Sequence, residues 1–343
     1  MSDLFLRACR RQPVERVPIW IMRQAGRYLA EYRKVREKAG FSTLLKTPEL
    51  AAEVTLQPVI RFGLDAAILF SDILVPVEPM GVSLTFSPGP VLEPAVRSRA
   101  DVERLRVPEP EETVPFVYES IRILRRELAG RAPLIGFGAA PFTLAAYLVE
   151  GKGTRDFEHV KGMLYGDPAT AHLLLDKAAT TLSRYLRAQV RAGAQAIQIF
   201  DSWAGVLSRK AYREFALPYL QRVTEALRAE GVPLIYFALD ASHLLEEIRA
   251  CGTDVVGLDW RLPLSEASSR LEHRFVLQGN LDPCVLLSIP EAISREARMV
   301  LAEGARAPGH IFNLGHGILP STPVAHVEAL IDAVRRPLPQ EAS

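Results

Sequence analysis

Eight short apolar runs punctuate the chain, and each closes on polar or small residues. In order they are VPIWIMRQ from Val17, AAILFSD from Ala66, PLIGFGAA from Pro133, AIQIFDS from Ala196, PLIYFALD from Pro233, VVGLDW from Val255, FVLQGN from Phe275 and HIFNLGHG from His310. None alternates cleanly between apolar and polar positions, which is the pattern of strands buried on both faces, as parallel strands are. Helix-opening signals fall between them. Thr47-Pro48-Glu49-Leu50 offers a cap, a proline in the first turn and an acid. Asp101-Val102-Glu103 offers a cap and an early acid, and Ser288-Ile289-Pro290-Glu291 and Thr322-Pro323 repeat the scheme. Strand and helix alternating eight times predict an α/β fold, a single (β/α)8 TIM-type barrel with additional helices. The stretch 141–191 is long enough for more than one helix, and the proline-rich segment 75–107 reads as an excursion bounded by structure. One domain is expected over 1–343, with a basic N-terminal arm at 1–16 and a flexible tail at 337–343.

Composition narrows the class without changing the fold. At 343 residues, 48% hydrophobic and 24% charged, the chain is globular and long enough to bury a sizeable core. A net charge of +1 argues against a general nucleic-acid or membrane-surface binder. Cys9, Cys251 and Cys284 are scattered and odd in number, against a disulfide framework or a cysteine-rich zinc site. The start lacks the apolar run of a signal peptide, and no eighteen apolar residues follow one another. The expectation is a cytoplasmic protein with no nucleic-acid and no membrane partner. Charge is uneven, however: residues 1–40 hold ten Lys or Arg against four Asp or Glu. That excess is either a solvated arm or the mark of a polyanionic ligand.

In such barrels the active site lies at the carboxyl ends of the strands. Those ends offer Arg23-Gln24-Ala25-Gly26-Arg27, Ser71-Asp72, Gly138-Ala139-Ala140 leading to Tyr147, Asp201-Ser202-Trp203, Asn280 with Asp282, and Gly315-His316-Gly317. No lysine is among them, so a Schiff-base chemistry lacks its nucleophile. His310 and His316 are wrongly spaced for a helical metal pair, and Gly151-Lys152-Gly153-Thr154 lacks the P-loop pattern. Each candidate also has a structural reading. Arg23 and Arg27 could brace the barrel mouth, Asp72 could cap a helix, and Tyr147 could be a packed helix tyrosine. Ser202 could be an N-cap and Trp203 core, while Gly315 and Gly317 could form a phosphate loop around His316.

Longer segments decide between these readings. Pro18-Ile-Trp-Ile-Met-Arg-Gln-Ala-Gly-Arg-Tyr28 and Gly136-Phe-Gly-Ala-Ala-Pro-Phe-Thr-Leu-Ala-Ala-Tyr147 resemble the two signatures of the uroporphyrinogen decarboxylase family. Phe70-Ser-Asp-Ile-Leu-Val-Pro76, Phe200-Asp-Ser-Trp-Ala-Gly205, Gly257-Leu-Asp-Trp260, Gln278-Gly-Asn-Leu-Asp-Pro283 and Leu314-Gly-His-Gly-Ile-Leu-Pro320 match further family segments. Leu239-Asp240, at the fifth strand end, looks less typical.

The resemblance implies a carboxy-lyase of haem biosynthesis with no cofactor and no metal, working as a homodimer. It would turn the four acetate side chains of uroporphyrinogen III into methyl groups, giving coproporphyrinogen III and carbon dioxide. Decarboxylation needs an electron sink, and a pyrrole ring protonated at carbon can serve as its own. Carried over, Asp72 would accept hydrogen bonds from pyrrole N–H groups and stabilise the cationic ring. Arg23 and Arg27 would hold substrate carboxylates, Arg23 also taking part in proton delivery, with backbone N–H groups across Gln24, Ala25 and Gly26 adding anion contacts. Tyr147, Ser202 and His316 would orient the acetate being lost. The rivals are a zinc- and cobalamin-linked methyltransferase of the same superfamily and a tetrapyrrole carrier without turnover.

Overall fold

A computed structural model describes residues 3–86 and 89–336; the expected tail at 337–343 lies outside the described residues. Nine strands are present among the described residues: β1 (Ala67–Ile68), β2 (Ser83–Phe86), β3 (Pro90–Glu93), β4 (Leu134–Ala139), β5 (Ala196–Asp201), β6 (Leu234–Ala238), β7 (Val255–Gly257), β8 (Val276–Leu281) and β9 (His310–Leu314). β1 and β4 to β9 pair in parallel in chain order, while β2 and β3 form an antiparallel hairpin inside the excursion. The mainly apolar strands β4 to β9 are buried along their length except at Phe200 of β5, as a sheet covered on both faces requires.

The first run does not form a full strand. It makes a single bridge, Ile19 to Phe312 of β9. Phe312 N–H donates to Pro18 O at 2.8 Å, and Asp65 N–H, just ahead of β1, donates to Ile19 O at 2.9 Å. Residues 18–20 therefore stand between β9 and β1 and close the barrel. The ladder stops there because side chains take the remaining N–H groups. Asp65 accepts from Ile19 N–H, Gln24 from Ile21 N–H and Asn313 from Met22 N–H, at 2.9 to 3.1 Å. Across the interior, Trp20 Nε1 donates to Gln278, whose amide donates to Gln198, so β5 and β8 are joined through the barrel's centre.

The helical expectations hold with changed caps. Helices Pro48–Phe62 and Pro290–Gly304 start where expected and Val324–Arg335 one residue later, with Pro323 at the cap in place of Thr322; Thr47, Ile289 and Pro323 make no side-chain cap bond. In Arg99–Arg104 the cap is Ser98, and Asp101 is its reciprocal partner at the third position. The stretch 141–191 resolves into Pro141–Glu150, Glu158–Gly166 and Pro168–Ala192. The basic arm is also folded. Helix Leu4–Cys9 buries Leu4, Phe5, Ala8 and Cys9, while Arg7 pairs with Asp3 and Glu15.

Candidate functional site

At the carboxyl ends of the strands lies a cavity of about 340 Å³. Its walls include Arg23, Ala25, Gly26, Arg27, Asp72, Ser202 and His316, residues drawn from four separate strand ends. Two roomier outer grooves, of about 760 and 640 Å³, run between helices at Arg222 and at Arg298. Neither gathers a shielded titratable group, so the chemistry points to the smaller cavity.

The arginine wall is made by a tight turn. Arg23 holds φ at +65°, a left-handed conformation that side chains other than glycine rarely adopt. A Cβ on Gly26 would stand 2.7 Å from Arg23 O, so only glycine fits the return of the turn. Opposite, a Cβ on Gly317 would overlap the Arg23 side chain. The glycines flanking His316 thus make room for Arg23 and for the backbone at Trp260. Among the described residues Arg23, Arg27 and Arg36 form no salt bridge, which leaves three guanidinium groups at one wall without an acidic partner.

Asp72 follows β1. Its Oδ1 accepts the Leu74 N–H at 2.8 Å, closing a local turn; no helix is capped by it. By accessible area it is partly exposed, because the cavity reaches it, yet protein surrounds it closely. Burial raises its pKa, opposed by the Leu74 N–H and by the charge of Arg23. His316 is pulled down to about 4, first by burial and then by Arg23, against the opposing charge of Asp259. It is a neutral imidazole at physiological pH. Burial raises the Tyr147 phenol, with Asp72 adding to the rise and the Trp203 indole opposing it.

Not every expected residue lines the cavity. Gln24 is fully buried behind it, accepting from Ile21 N–H and donating to Ala66 O, and its own N–H is spent on Ile21 O. Tyr147 stands back from the lining on helix Pro141–Glu150, its ring 5.7 Å from that of Trp203. It still feels the charges of Asp72 and Arg23. Asp240, at the less typical strand end, gives its N–H to Asp259 at 2.6 Å and faces Arg261.

Other lining residues escaped the sequence reading. Arg36 sits on helix Ala30–Ala39, away from any strand end, over the ring of Phe41. Phe137, Phe200 and Phe237 form the floor, at 5.7 and 6.1 Å between rings, and the row ends on His316 at 6.4 Å. The signal in the sequence is a phenylalanine near the carboxyl end of three successive runs (GFG, IFD and YFA), which by itself reads as core. No lysine lines the cavity. Among the described residues no three His, Cys, Asp or Glu side chains gather closely enough to hold a metal ion.

Comparison with known proteins draws the same outline. The family model described as uroporphyrinogen decarboxylase (URO-D) matches residues 1–337. A protein named uroporphyrinogen decarboxylase from Geobacter metallireducens is 56% identical over 336 residues, 98% of this chain and 99% of that one. One of the same name from Syntrophotalea carbinolica is 56% identical over 97% of each. Among solved structures, a methyltransferase from Methanosarcina mazei superposes with a TM-score of 0.84 at 24% identity, covering 97% of both chains. A B12-independent methionine synthase from Shewanella sp. W3-18-1 reaches 0.58 at 11%, covering 93% of both. At such identities these two show a shared barrel and nothing of the reaction. With the signatures, the full-length match and the cavity in agreement, the chain belongs to the uroporphyrinogen decarboxylase family.

Proposed function

We propose that the chain removes carbon dioxide from the four acetate side chains of uroporphyrinogen III, leaving methyl groups and so coproporphyrinogen III. The observation that carries this reading is one cavity holding a shielded carboxylate, Asp72, and three arginines without acidic partners among the described residues, above a floor of phenylalanines. Such a site suits a ring whose face is apolar, whose centre bears N–H donors and whose rim bears carboxylates.

Asp72 accepts the pyrrole N–H groups. These donors favour the ionised carboxyl that burial alone disfavours. A pyrrole ring protonated at carbon then draws the electron pair of the breaking carbon–carboxylate bond, and carbon dioxide leaves. The exocyclic carbon takes up a proton and the ring gives up its own, so each acetate consumes one proton overall. Asp72 stabilises the cationic ring by preset charge, which costs no reorganisation during the step. Arg23 and Arg27 hold rim carboxylates, helped by the backbone at Ala25 and Gly26, and Arg36 extends that wall. Ser202, Tyr147 and neutral His316 orient the acetate being lost. The enzyme works in the cytoplasm as a homodimer, which sedimentation of the purified chain tests; a monomer at all concentrations contradicts it.

Anaerobic incubation with chemically reduced uroporphyrin III, with and without a chelator, tests the activity. Stepwise loss of carboxylates from eight to four, insensitive to chelator, is the expected result. A folded protein that binds the substrate and releases no carbon dioxide would instead be a carrier.

A further inference from the structure

Behind the cavity, the carboxyl end of β5 buries a carboxylate that the reaction as described does not use. Asp201 is 1% exposed. Its Oδ1 accepts the Thr143 hydroxyl at 2.6 Å, and its Oδ2 accepts the Tyr236 hydroxyl at 2.8 Å. The Tyr236 oxygen lies 3.0 Å from that of Tyr212, also buried. Thr143 Oγ1 in turn accepts the Trp203 N–H at 3.1 Å. Ser202, on the cavity wall, is therefore held between two residues tied to a single hydroxyl.

That hydroxyl also reaches the other side. Thr143 and Tyr147 are four residues apart on helix Pro141–Glu150 and so share one face. The Trp203 ring packs against Tyr147 at 5.7 Å and against Phe157 at 4.9 Å. We propose that Asp201 and Thr143 are positioning residues that lock Ser202 and Tyr147 into one fixed relation at the cavity's end. The leaving acetate then meets a preset pair. This rests on the reading of Ser202 and Tyr147 as groups that orient the acetate.

The direction of the hydrogen bonds makes the lock specific. A threonine hydroxyl has one proton to give. Because Asp201 takes it, the lone pairs of Oγ1 are left for the Trp203 N–H. A serine keeps this arrangement, whereas a valine of nearly the same shape abolishes both bonds. The lock needs an acceptor at Oδ1 more than it needs charge. In Asp201→Asn the amide oxygen still accepts from Thr143, and the NH2 donates to Tyr236, whose proton turns to Tyr212. A side chain that merely filled this space would do as well apolar, since a buried carboxyl costs free energy that only its hydrogen bonds offset.

The test measures kcat and KM separately for anaerobic turnover of chemically reduced uroporphyrin III. Thr143→Ser and Asp201→Asn are expected within about threefold of the unmodified protein, and Thr143→Val loses about tenfold to a hundredfold in kcat with KM little changed. The arginine wall that binds the rim is untouched, hence the split. Should the valine variant not fold, as circular dichroism would reveal, Thr143→Cys serves instead, its S–H being a poor donor. Undiminished kcat in the variant lacking the hydroxyl, beside an active unmodified protein, overturns the proposal. So does an equal loss in Thr143→Ser. An inactive unmodified protein overturns the functional reading, and this inference with it.

Discussion

Asp72 is a carboxylate kept in a place that disfavours its charge, with Arg23 near enough to restrain it but not paired to it. Asp72→Asn removes the charge and keeps the shape. Turnover should fall by about a hundredfold or more, as when a preset charge-stabilising group is lost elsewhere. Because burial already raises this carboxyl's pKa, the midpoint of unfolding should hold or rise slightly. Rates and circular dichroism on the same sample check both halves, and full activity in a folded Asp72→Asn protein would remove it from the mechanism. Gly317 makes the second residue-level case. Its Cβ would overlap the Arg23 side chain without straining the backbone. Gly317→Ala should push the guanidinium off the wall and raise KM by about tenfold, near 1.4 kcal/mol, leaving kcat closer to normal. An unchanged KM would mean Arg23 is not holding substrate. Asp72 and Arg23 were legible in the sequence because each lies at a strand end within a long signature. Arg36 was not, because its place on the wall depends on how a helix packs.

Among the elements, the closing segment 18–20 carries the most risk. A lone bridge replaces a ladder, and Asp65 repairs the deficit: it accepts Ile19 N–H at 2.9 Å and pairs both oxygens with Arg16 at 2.7 Å while itself 6% exposed. Asp65→Asn keeps one acceptor and loses the ion pair, leaving a partly buried guanidinium without its partner. A loss of about 2–3 kcal/mol in denaturant unfolding is expected, since breaking such a pair leaves the other charge stranded. A loss below about 0.5 kcal/mol, the size of a surface pair, would show that closure does not depend on it. The apolar run of this segment pointed to a strand. It could not disclose that Asp65, Gln24 and Asn313 would take its N–H groups.

For the whole molecule, buried titratable groups set opposing pH responses. Burial pulls His310 down to about 4, its Nε2 facing Gly279 O at 2.9 Å. Between about 4 and an unfolded value near 6.5, the folded chain holds fewer protons at this site than the unfolded chain. Its contribution is therefore intact above that window and is lost as pH falls through it. Asp201, raised to about 6 by burial, acts in the other direction: the folded chain takes up its proton earlier, which favours folding as pH falls through 6. His316, also near 4, sides with His310. His310→Gln should flatten the fall of the melting temperature between pH 6.5 and 4.5, since that site alone is worth on the order of 3 kcal/mol at full size. An identical slope in both proteins would contradict this.

The sequence by itself determined the alternation of strand and helix, the barrel and the signature segments. Those are properties of runs of neighbouring residues, where burial on both faces and helix-opening chemistry are written locally. It also disclosed which strand ends bear charge. Only the tertiary structure decided which of those residues share a cavity. It placed Arg36 on the wall and Gln24 behind it, aligned three phenylalanines into a floor and turned Asp101 from a cap into its partner. It also joined Asp201 and the Trp203 N–H, on either side of Ser202, through the single hydroxyl of Thr143. The reason is distance. Hydrogen bonds and ring contacts act over a few ångströms between residues that stand tens to hundreds of positions apart in the chain, and no local pattern encodes which of them will meet.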